Sequence, residues 1–110
     1  MMAARGDYPL EGRELVAQAN GLRMQILTLA PGQEVPWHWH TEVTDTFFCM
    51  EGPMLIETRA PASETVLVPG QMHAVPARTA HRVTGQGGGR AKFAILQGVG
   101  TYDFMPVGQV

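Results

Sequence analysis

A chain of 110 residues is the size of one domain with one modest core. Its formal net charge of -2 offers no broad basic surface for nucleic acid, and no apolar run approaches the roughly 20 residues that cross a bilayer. Cys49 is the single cysteine, so no internal disulfide is expected and a reducing compartment is the simpler reading.

Residues Met1 to Tyr8 carry no apolar core behind Arg5, so no secretory signal is read there and a cytoplasmic location is expected. Turn signals then recur at short intervals: Asn20-Gly21, Pro31-Gly32, Gly52-Pro53, Pro61, Pro69-Gly70 and the glycine-rich Gly85 to Gly89. Between them lie short runs rich in Val, Ile, Leu, Thr and Phe, which is the pattern of an all-β sandwich or barrel. The runs predict strands near 14–19, 22–30, 34–40, 45–50, 54–59, 64–68, 71–76, 80–84 and 91–97. The stretch from Arg13 to Asn20 also reads as a short helix, and periodicity does not separate the two. Asn20-Gly21 suits the tight primed turn of a hairpin. Gly85 to Gly89 has no Gly-Lys-Ser/Thr and no helix after it, so it reads as a turn rather than a phosphate cradle.

Side-chain parity adds an interior. If Glu57 and Arg59 face water, Met54 and Ile56 face inward; if Lys92 faces water, Phe93, Ile95 and Gln97 face inward. If Asp45 points inward, so do Phe47 and Cys49. Together these residues predict an apolar pocket with few polar groups.

The stretch from Gly32 to Gly52 carries the chemistry. His38 and His40 share one face of a predicted strand, roughly 6.5 Å apart, and can converge on one divalent ion. Asp45, at the start of the next strand, can add a hard oxygen ligand or cap the turn from Thr41 to Thr44. A third imidazole, His81, follows Pro76. Glu42 lies inside the turn and reads as a solvated charge. His73 reads as a core or surface histidine, and Cys49 as a small buried hydrophobe. Gln97 either orients a substrate or hydrogen-bonds barrel backbone. Trp37 and Trp39 have the opposite parity to the histidines, so they face out and call for a cover, either a second subunit or a terminal strand. A homodimer burying at least one of them is expected.

These residues resemble the cupin superfamily, small double-stranded β-helix (jelly-roll) barrels with two motifs. The first has Gly, five residues, His-x-His, three or four residues, Glu, six residues and Gly; Gly32, His38, His40 and Gly52 fall at those spacings with Asp45 in the place of Glu. The second has Gly, five residues, Pro-x-Gly, two residues and His; Gly70, Pro76 and His81 match, with Arg78 in the place of the inner Gly. The resemblance covers residues 22–97 and implies a single domain over 1–110 whose terminal extensions pack on the barrel or on a partner. It implies one divalent transition metal per chain (Fe, Mn, Ni, Zn or Co) held by His38, His40, Asp45 and His81. Four such ligands leave positions open for water, substrate or dioxygen.

Two functions follow. The first is a metal-dependent enzyme on a small apolar or aromatic molecule, working as a dioxygenase or as a Lewis-acid isomerase or cyclase. The second is a non-catalytic module that holds metal and ligand. A storage or structural cupin fits the intact metal motifs less well.

Overall fold

A computed structural model describes residues 8–107, so the reading of the first residues as no secretory signal lies outside the described range. Ten strands follow in order: β1 Gly12–Ala19, β2 Leu22–Leu29, β3 Glu34–Trp39, β4 Thr44–Glu51, β5 Met54–Thr58, β6 Ser63–Leu67, β7 Met72–Val75, β8 His81–Gly85, β9 Ala91–Gly98 and β10 Met105–Pro106. They form two five-stranded sheets, β1-β2-β9-β4-β7 and β10-β3-β8-β5-β6, with every pairing antiparallel. This is the all-β jelly-roll barrel. Among the described residues only a 3-10 turn at Gln86–Gly88 departs from strand and loop, so the helical alternative for Arg13 to Asn20 is excluded. Pairing of β1 with β2 decides that segment, because the ladder supplies backbone bonds that a short, isolated helix would lack.

The two sheets close over one core. Leu27, Phe47, Phe93 and Ile95 from the first sheet meet Val35, Met54, Ile56 and Val83 from the second. Phe47 and Phe93 contact edge to face, with ring centroids 5.6 Å apart, the arrangement their quadrupoles favour. Met54, Ile56 and Phe93 are sealed completely.

Three local features depart from the sequence reading. The β1–β2 connection has two residues, but among described non-glycine residues only Ala60 and Arg78 take positive φ, so Asn20 does not and the turn is not a primed one. Gly21 alone supplies the left-handed conformation, at φ 75°. Between Val35 and His38 the β3–β8 register slips by one residue, so both side chains turn inward despite their odd separation. Pro36, which has no N–H to give the ladder, sits within this slip. Trp37 and Trp39 are half-buried within the single chain: the Arg59 guanidinium lies 3.9 Å from the Trp37 ring, and β10 pairs along β3. A terminal strand is therefore one cover for that face.

Candidate metal centre

Two strands of one sheet and one strand of the other bring the metal-binding candidates together. His38 on β3 lies opposite His81 on β8, His40 follows β3 directly, and Asp45 enters from β4 across the barrel. All four are buried, and one donor atom from each lies within 4.8 Å of every other. The Asp45 Oδ2 atom is 2.8 Å from His40 Nε2, 2.8 Å from His81 Nε2 and 3.9 Å from His38 Nε2. Donors about 2.1 Å from a shared ion lie about 3.0 Å apart when they are neighbours in an octahedron, so these separations suit one small cation.

Hydrogen bonding on the far side of each ring sets the tautomers. The Nδ1–H of His38 donates to the Pro36 carbonyl at 2.7 Å, that of His40 to the Asp103 carbonyl at 2.6 Å, and that of His81 to the Thr79 carbonyl at 2.8 Å. A carbonyl can only accept, so Nδ1 holds the proton and a neutral ring turns the Nε2 lone pair toward Asp45. Lone pairs 2.8 Å from an anionic oxygen repel unless positive charge joins them. Protonating all three rings would leave excess buried positive charge around one carboxylate, which burial penalises. A divalent cation fits this donor set.

The electrostatics agree in direction. Burial raises the Asp45 pKa, but the facing edges of His38, His40 and His81 outweigh it and hold the carboxyl well below its usual range. Burial lowers the His38 pKa and keeps that ring neutral. Burial opposes charge on His40 too, yet the adjacent Asp45 carboxylate prevails and raises its pKa, so positive charge is favoured at that edge of the ring.

The turn before His81 keeps the motif's shape without its glycine. Arg78 stands at φ 65° and its N–H donates to the His40 carbonyl at 2.7 Å, tying the His81 turn to the end of β3. The left-handed conformation costs a non-glycine residue about 1 kcal/mol, which that bond helps offset.

The cavity beside these residues is small, about 10 Å³, or room for about one water. Phe47, Ile95 and Gln97 line it, while Cys49, Met54, Ile56 and Phe93 are packed into the core. Parity placed these four on the inner face, and close packing fills the space they were expected to border. Leu27, Val35, His38 and Asp45 complete the inner wall, with Tyr8, Arg13, Gln25 and Tyr102 adding polar groups. The expected apolar pocket is thus a small cavity with a largely polar rim. Of the other candidates, Glu42 accepts the Thr101 N–H at 2.9 Å and stays outside the cluster. His73 sits half-buried on β7 and is likewise outside it. Burial raises the Cys49 thiol pKa, in keeping with a packing role.

Sequence reasoning missed the roof. After β9 the chain crosses the barrel mouth and its polar and aromatic groups close on the site. The Asp103 carboxylate accepts the Thr41 N–H at 2.9 Å and the Thr41 hydroxyl at 2.6 Å, while its carbonyl holds His40. Phe104 stacks on His38 with centroids 4.4 Å apart and planes 10° from parallel, and Tyr102 lies 5.3 Å from His40. The aromatic-acidic-aromatic run Tyr102-Asp103-Phe104, just past the last long strand, was the available signal.

The comparisons agree with this architecture. The model of a family described as the cupin domain matches residues 25–102. No curated protein matches the sequence. A cupin-2 domain protein from Shewanella frigidimarina superposes with a TM-score of 0.67 at 21% identity, over 82% of each chain. A cupin superfamily protein from Desulfitobacterium hafniense gives 0.71 at 20% identity, over 86% of this chain and 84% of that one. An oxalate oxidase gives 0.70 at 20% identity, over 79% of this chain but only 46% of the oxidase. At such identities the likeness is one of fold.

Proposed function

The chain belongs to the cupin family, and from that premise we propose that it is a metal-dependent enzyme acting on a small organic molecule with an oxygen-donor head group. The observation that carries this is the convergence of three Nε2 lone pairs and one carboxylate oxygen, with every Nδ1 proton committed elsewhere. His38, His40, His81 and Asp45 would hold the ion. Bound there, iron, manganese, nickel, zinc or cobalt would supply Lewis acidity, and the redox-active members also electron transfer, to an oxygen ligand.

The surrounding residues narrow the substrate. A cavity with room for about one water favours a small oxygen ligand at the ion over the bulkier apolar or aromatic substrate that the sequence suggests. Arg13 on the rim favours an anion, such as a carboxylate or enolate. Leu27, Val35, Phe47 and Ile95 exclude water from the opposite side. Oxidation and Lewis-acid rearrangement both suit such a site. The test is elemental analysis of purified protein, then assay of the metal-loaded protein against small organic acids, with oxalate included because one fold neighbour is an oxidase of it. Metal without turnover on any of them would favour the second reading, a binding module. The specific support for that alternative is the roof, which leaves space for about one water.

Metal occupancy should depend on pH. A protonated imidazole cannot ligate, so occupancy is full above the histidine pKa values and is lost as pH falls below about 6. Occupancy measured after equilibration between pH 4 and 8 checks this; a flat profile would count against histidine ligation.

The half-buried Trp37 and Trp39 also keep a homodimer in this reading, with the indoles as anchors. Light scattering after size exclusion should give twice the chain mass, and a monomer at micromolar concentration would remove it.

A further inference from the structure

A row of side chains runs across the first sheet toward the metal centre. Arg23 on β2 is the register partner of Gln97 on β9, and Gln97 is the partner of Asp45 on β4. Cross-strand partners share a face, so the three side chains stand in line. Arg23 Nε and Nη2 reach Gln97 Oε1 at 3.0 and 2.7 Å, and Gln97 Nε2 reaches Asp45 Oδ1 at 3.2 Å. A second branch joins from Arg13, whose Nη1 donates to Gln25 Oε1 at 3.2 Å while Gln25 Nε2 donates to Gln97 Oε1 at 3.3 Å.

The polarity of this chain admits one orientation. A guanidinium only donates, so the carboxamide oxygen of Gln97 must face Arg23. The ionised Asp45 carboxylate only accepts, so the amide NH₂ must face it. Gln97 and Asp45 are buried, and a reversed amide would set oxygen against oxygen at one end and N–H against N–H at the other. Asp45 and Gln25 favour the same orientation, but only the arginine holds the carboxamide oxygen from the far end with two donors, so without it the amide is free to tilt away from Oδ1. The consequence falls on Asp45: its Oδ1 is engaged by Gln97, and its Oδ2 alone is presented to the histidines.

Resting on the metal reading above, we propose that Arg23 is a positioning residue that, acting through Gln97, fixes Asp45 as a ligand through one oxygen. Arg23 bonds to none of the histidines; its link to Asp45 runs through the amide, while its guanidinium also lies 4.1 Å from the Tyr102 ring. Partners of this kind typically change metal affinity by about 10- to 100-fold.

The test uses Co²⁺ alone as the probe, titrated into metal-free full-length protein against a chromogenic chelator, with the visible spectrum of the cobalt protein as a second readout. Arg23→Met should weaken Co²⁺ about tenfold, because Asp45 is no longer held in its ligating pose, and should shift the spectrum, because the freed Oδ1 can change the coordination. Gln97→Met should do the same, and the double variant should be no weaker than Gln97→Met alone, since both act on one bond. Arg23→Lys keeps a charge and a donor and should recover part of the affinity; it also serves if Arg23→Met fails to fold. Wild-type affinity and spectrum in the Arg23 variants would overturn the proposal while leaving the metal reading intact. So would losses that add in the double variant. A wild-type protein that takes up no Co²⁺ would overturn the metal reading and this proposal with it.

Discussion

His81→Ala, His40→Ala and His38→Ala are each expected to lower divalent metal affinity by on the order of 100-fold or more, at or beyond the upper end of what loss of a mere supporting partner costs. Each removes a neutral nitrogen already aimed at the common point, and no other described histidine or carboxylate joins the cluster to replace it. The loss should appear twice. Elemental analysis should find the variants nearly empty, and the metal-induced rise in thermal stability expected for the wild type should vanish. A ligand at about 1,000 times its Kd stabilises the folded state by about 4 kcal/mol, so that rise is large enough to read. A folding defect is separable by comparing metal-free forms, since each variant also frees a half-buried carbonyl (Pro36, Asp103 or Thr79) from its Nδ1 partner. Full metal content in all three variants would place the bound ion somewhere else.

The parts of the fold that a single chain segment encodes were legible in the sequence. Alternation along 54–59 and 91–97 gave the inward faces of β5 and β9, and Met54, Ile56, Phe93 and Ile95 are buried there. The spacing of His38, His40, Asp45 and His81 gave the set that converges. Parity reports which face a side chain takes, but not its depth along the barrel. Hence Cys49, Met54, Ile56 and Phe93 were expected to border a pocket and instead fill the core, while the wall is made by residues such as Gln25, Arg13 and Tyr8. The roof and the Arg23–Gln97 pair lay beyond reach for another reason. Asp103 meets Thr41 across 62 positions and Arg23 meets Gln97 across 74, and no local pattern in either segment encodes its partner. The slip in β3 was hidden as well, although Pro36 inside a run otherwise suited to a strand was a local sign of it.

Asp45 offers the sharpest separation of metal from packing, through two substitutions that differ by one group each. In Asp45→Asn the volume is kept and Gln97 still donates to Oδ1, so the new amide nitrogen is forced toward the histidines. Its two N–H bonds then meet the Nε2 lone pairs of His40 and His81, which in the wild type face an anionic oxygen at 2.8 Å. The metal-free variant should therefore melt at a higher temperature than metal-free wild type, by an amount matching the roughly 1 kcal/mol of a buried hydrogen bond gained. Its metal affinity should collapse, because a nitrogen carrying two protons has no lone pair to offer an ion. Asp45→Glu restores the carboxylate of the family motif, yet it must seat an extra methylene where the side chain is fully buried and the adjacent cavity is about 10 Å³. Overpacking of that kind costs about 1–3 kcal/mol, and here it also pulls the carboxylate out of register with Gln97. So Asp45→Glu should be less stable than wild type and bind metal more weakly, although it keeps the charge. Melting curves with and without Zn²⁺ decide both. If Asp45→Asn is destabilised when metal-free, the opposed lone pairs are not there. If it binds Zn²⁺ as wild type does, Asp45 is no ligand and three histidines hold the ion.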